Sequence, residues 1–85
     1  MDQQELSFDA YADTDEMGCG SLAVALRSAM LELPAGAVLK VRALDSGAPE
    51  DIPAWCRLSG HSLLAEPAAA GAGLYFIRKG GGPAQ

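Results

Sequence analysis

The spacing of apolar side chains changes twice in the first half of this chain, and that change limits what it can fold into. From Glu5 to Tyr11 the period is two, with Leu6, Phe8 and Ala10 alternating with Ser7 and Asp9. This is the pattern of a half-buried strand. From Gly20 to Leu33 the period becomes helical. Leu22, Leu26, Ala29, Met30 and Leu33 fall on one side, and Ser21, Ser28 and Glu32 on the other. Pro34-Ala35-Gly36 stops the helix. Val38 to Leu44 returns to period two, setting Leu39, Val41 and Ala43 against Lys40 and Arg42. Strand, helix and strand in this order predict a βαβ unit with parallel pairing.

The second half adds a helix and two strands. Asp45-Ser46-Gly47 is a turn with capping side chains, and a helix follows from about Pro49 to Ser59, with Pro49 in its first turn. Ile52, Trp55, Cys56 and Ser59 share a face, and Gly60 supplies the stop. Pro53 lies inside this helix and is expected to loosen it locally. Ser62 to Glu66 reads as a short strand, Pro67 to Gly73 as a mobile turn, and Leu74 to Lys79 as the hairpin partner. The expected fold is α+β, a two-layer α/β sandwich in the order β-α-β-α-β-β. Its four-stranded mixed sheet carries both helices on one face. Residues 1–79 form one domain in this reading, and 80–85 a flexible C-terminal tail.

Charge and composition exclude several functions. The net charge of -5 argues against direct nucleic-acid binding, which needs a Lys/Arg surplus. No apolar run approaches the ~20 residues of a membrane span, so membrane insertion is not expected. The polar, acidic start Met1-Asp2-Gln3-Gln4-Glu5 does not read as a signal peptide, and a cytoplasmic location is inferred. Two cysteines and one histidine, without zinc-motif spacing, give no metal site, and no cofactor is implied.

Cys19 has an unusual setting. It stands between Gly18 and Gly20, after Asp13, Asp15 and Glu16, at the predicted start of the first helix. Free N–H groups and the helix dipole concentrate positive potential there and favour thiolate over thiol. The flanking glycines leave room for a partner's sulfur to approach. Asp13, Asp15 and Glu16 act in the opposite direction, because nearby negative charge disfavours an anion. They are alternatively partner-facing charges. Cys56, mid-helix on an apolar face, reads as packing. His61 reads as a turn or capping side chain, and Arg78 and Lys79 as solvated strand ends.

Several stretches resemble the TusA/SirA family of small sulfur-carrier proteins. The most specific is "DIPAWCRLSGHSLL", Asp51 to Leu64, which is similar to the family's second-helix signature. "LPAGAVLKVRALD" (Leu33 to Asp45) and "YFIRK" (Tyr75 to Lys79) match the second and last strands. "FDAYADTDEMGC" falls where the first strand and active-site turn belong. The resemblance implies the same two-layer fold, with Cys19 as the sulfur-carrying cysteine that forms a persulfide. It implies protein partners: a sulfur donor such as a cysteine desulfurase or rhodanese, and an acceptor in tRNA thiolation or sulfur metabolism, including sulfur-oxidation proteins. Asp13 matches an acid of the family. Asp13, Asp15, Glu16, Gly18 and Gly20 are the supporting or partner-docking residues in this reading.

The chain departs from the family pattern at this turn. Gly20 follows Cys19 where the family has proline, Ala23 lies further along without one, and Asp15-Glu16 stands where an Arg-Gly pair is usual. These departures motivate an alternative, a binding or regulatory module that keeps the fold without sulfur transfer. A redox switch pairing Cys19 with Cys56 is a third reading.

Overall fold

The computed structural model describes residues 7–67 and 72–80, with Cys19 described in its backbone only. Six elements follow in the order β1 (Ala10–Asp15), α1 (Cys19–Leu31), β2 (Val38–Ala43), α2 (Ala48–Ser59), β3 (Ser62–Ala65) and β4 (Leu74–Arg78). They make one mixed sheet in the order β1-β2-β4-β3. β1 and β2 are parallel, and β4 is antiparallel to both β2 and β3. This is the α+β, two-layer arrangement expected from the sequence.

The core explains why both helices lie on one face. Leu39, Val41 and Ala43 of β2 and Tyr75 and Ile77 of β4 are buried together with Leu22, Leu26 and Met30 of α1. Ala48, Ile52 and Cys56 of α2 complete the cluster. Each helix thus contributes one stripe at i, i+4, i+8, which is the spacing its sequence carries.

α2 is well terminated. Glu50 and Asp51 occupy its first turn and Arg57 its last, and Gly60 adopts the left-handed C-cap at φ 80. The helix runs through Pro53. The ends of the two layers are then tied together. Lys79 Nζ donates to the Leu33 carbonyl at 2.5 Å, and the Gly36 N–H donates to the Lys79 carbonyl at 3.0 Å.

Apart from one-residue shifts at the ends of elements, three differences from the expected boundaries have a structural reason. The first strand lies over Ala10–Asp15 rather than Glu5 to Tyr11, so Asp13 to Asp15 belong to the strand. Its inward side chains are Ala10, Ala12 and Thr14, too small or polar to register as an apolar stripe. Phe8, read as inward, is 44% exposed and meets Phe76 edge-on at 6.2 Å on the face away from the helices. Secondly, α1 ends at Leu31, because Glu32 and Leu33 close on Ala29 and Met30 with i→i−3 bonds. Finally, Gly80, assigned to the tail, is held: its N–H donates to His61 Nδ1 at 2.9 Å. A Cβ there would run into the Gly60 carbonyl oxygen. Residues 81–85 of the expected tail, 68–71 of the expected mobile turn and the start of the expected first strand lie outside the described residues.

Candidate functional site

Cys19 opens α1, as its sequence setting predicts. The chain reaches it through a tight turn in which the Met17 N–H donates to the Thr14 carbonyl at 2.9 Å. Thr14 anchors that turn. It is buried, and its hydroxyl donates to the Arg42 carbonyl at 3.0 Å. Asp15 takes the left-handed conformation, φ 52, which a short polar side chain tolerates better than most.

Gly18 is the N-cap residue, in extended backbone, and its carbonyl accepts the Leu22 N–H at 2.7 Å. It has no side chain to cap the helix, and the first turn of α1 contains no acid. The N–H groups of Cys19, Gly20 and Ser21 therefore have no acceptor inside the helix. An anion at this end meets donors and the positive end of the dipole. Neither Gly18 nor Gly20 is required by crowding, because a Cβ on either would meet nothing within 4 Å. A shallow groove along α1 is lined by Met17, Gly20, Ser21, Val24 and Ala25, with Val24 66% exposed.

The acids before the cysteine are not left to act on it unopposed. Arg42 Nη1 donates to Asp13 Oδ1 and Oδ2 at 2.9 and 3.0 Å and lies 3.7 Å from Asp15 Oδ1. Asp13 Oδ1 also accepts the Asp15 N–H at 3.1 Å. The hydrogen bonds to Asp13 hold the Arg42 guanidinium above its ordinary range. One cation on the neighbouring strand thus offsets the charges of both Asp13 and Asp15. Glu16 remains exposed.

Sequence reasoning places Arg42 on the solvent face of its strand and misses this role. The signal for it is the parallel register that sets Asp13 opposite Arg42. Arg42→Gln is expected to raise the pH midpoint of Cys19 alkylation by about half a pH unit, as for loss of one partly screened charge. A midpoint that stays put or falls would show that Arg42 has no such part.

The other candidates lie elsewhere. Cys56 is 2% exposed within the core, and burial pushes its thiol up to about 11, only partly countered by Arg57. His61 and Lys79 line a cleft with Met30 and Leu31, at the far end of α1 from Cys19. At 1.5 Å per residue that separation is roughly 16 Å. His61 therefore does not serve Cys19 as a base. Arg78 is exposed and pairs in register with Val38 and Ser62.

A two-layer sheet-and-helix domain with a cysteine at the mouth of its first helix defines a class of small thiol proteins, and comparison with known proteins narrows it. The family model of the sulfurtransferase TusA matches residues 11–79. A sulfur carrier protein TusA of Pseudomonas syringae pv. syringae (strain B728a) is 41% identical over 76 residues, covering 89% of this chain and 90% of that one. One from Pseudomonas entomophila (strain L48) is 41% identical over 75 residues, 88% of this chain and 94% of the other. The chain belongs to the TusA sulfurtransferase family. Among the described residues no helix is long and apolar enough to cross a membrane.

Proposed function

We propose that this chain relays sulfur as a persulfide on Cys19, taking it from a donor protein and passing it to an acceptor protein. The carrying observation is the start of α1, where Cys19 follows a cap residue without a side chain and stands among N–H groups without helical acceptors. Membership of the TusA family supports the same reading. In the loading step, the Cys19 thiolate attacks the terminal sulfur of a donor persulfide. A new S–S bond forms at Cys19, the donor's S–S bond breaks, and the donor leaves as a thiolate. In the unloading step, an acceptor nucleophile attacks that outer sulfur and Cys19 returns to thiolate. No net oxidation occurs in either transfer, so no redox cofactor enters.

The residues around Cys19 have separate roles in this scheme. The N–H groups of the first turn stabilise the thiolate and the persulfide anion. Gly18 and Gly20 admit the partner's sulfur. Asp13 and Asp15, held by Arg42, shape the turn, and Glu16 with the groove beside Met17 and Val24 faces the docked partner. The donors to be tried are a cysteine desulfurase with cysteine and a rhodanese with thiosulfate. Intact-mass spectrometry after either incubation is expected to show a gain of one sulfur atom, removable by a reductant and mapped to the peptide containing Cys19. Absence of that gain with both donors would overturn the proposal in favour of a binding module on the same fold.

A further inference from the structure

A second cleft, of about 350 Å³, lies between the C-terminal halves of α1 and α2 and the end of β4. Its charged lining is one-sided. Arg27 and Lys79 contribute two of the chain's six cations, and His61 is its only histidine. None of the lining residues is acidic, in a chain with 11 acids. Its apolar wall is Met30, Leu31 and Trp55, and the Trp55 ring lies 5.1 Å from that of His61.

The donors here are partly committed, which fixes their direction. Lys79 uses one N–H on the Leu33 carbonyl and keeps two. His61 Nδ1 accepts the Gly80 N–H, so the neutral ring carries its proton on Nε2. Burial and the Lys79 charge both lower the His61 pKa, and Arg27 lines the same cleft. A negative charge entering the cleft would relieve the crowding of positive charge. Uncharged walls on one side and donors on the other suit a ligand with an apolar body and an anionic head.

We propose that this cleft binds a small organic carboxylate, with Arg27 and Lys79 taking the carboxylate and Trp55, Met30 and Leu31 holding its apolar body. The site is independent of the chemistry at Cys19.

Benzoate and its neutral analogue benzyl alcohol are suitable probes, at matched ionic strength. The single tryptophan and single histidine both lie in the cleft and report on it by NMR, through the Trp55 indole N–H and the His61 ring. Benzoate is expected to give saturable shifts of both and to bind at least about tenfold more tightly than benzyl alcohol. Arg27→Gln changes an exposed side chain and leaves the fold intact. It is expected to weaken benzoate about five- to tenfold without affecting benzyl alcohol. Saturating benzoate is also expected to move the His61 titration midpoint upward, because the carboxylate favours the imidazolium. Lys79 also ties down the Leu33 carbonyl just beyond α1, and Arg27 is an exposed side chain open to solvent. If that is their whole role, the two probes titrate alike, Arg27→Gln changes nothing and the His61 midpoint stays where it was. Any one of these results overturns the proposal.

Discussion

With serine in place of Cys19, the protein is expected to fold normally and take up no sulfur from either donor, whereas Cys56→Ala keeps uptake near wild type. The contrast follows from where the two thiols lie in the fold. A hydroxyl at residue 19 keeps the helix start and its N–H groups but removes the polarisable nucleophile on which transfer depends. Cys56 is packed with Ala48 and Ile52 on the buried stripe of α2. With its pKa pushed to about 11, only roughly one molecule in ten thousand carries the thiolate there at neutral pH. Its removal is a packing change and not a chemical one. Uptake surviving in Cys19→Ser, or lost in Cys56→Ala while the fold persists, would move the carrier role to Cys56 and overturn the assignment.

The largest effect on stability is expected at Ile52. It is fully buried and stands where α2, α1 and the sheet meet. Ile52→Ala is expected to cost about 2–5 kcal/mol through lost burial and the cavity it leaves. An 85-residue domain has a total margin of only about 4–13 kcal/mol, so this is a large share. The melting temperature should fall by at least about 8 °C. Leu58 is the control on the same helix. It is 84% exposed, and Leu58→Ala should stay within about 0.5 kcal/mol of wild type. Urea unfolding of both variants decides the matter, and an Ile52→Ala protein within about 1 kcal/mol of wild type would mean the core is not organised around this residue.

How much of this can be read from the sequence depends on the size of the side chains that carry each signal. Leu22, Leu26 and Met30 announce α1 because large apolar groups at helical spacing have few other uses. All three are buried. Leu39, Val41 and Ala43 do the same for β2. The first strand lies away from its expected place because its inward residues are two alanines and a threonine, while the conspicuous alternation around Phe8 belongs to a segment before it. The helix start at Cys19 is legible from its glycines and the change of period. The ion pairs around it are not. Asp13 and Arg42 are 29 residues apart, and only the parallel register of β1 on β2 brings them together. Local pattern predicts local structure well, whereas a contact that needs a particular register becomes visible only once the sheet is assembled.

The bond from Gly80 to His61 gives the C-terminus a fixed point of departure. The last described residue is fastened beside the end of α2, where the Gly60 carbonyl leaves no space for a side chain. The chain therefore sets out from Gly80 beside the cleft of Trp55 and Lys79, a helix length away from Cys19. The departure at Gly80 and the start of α1 thus lie at opposite ends of that helix, whereas Phe8 lies just before the strand that leads into Cys19.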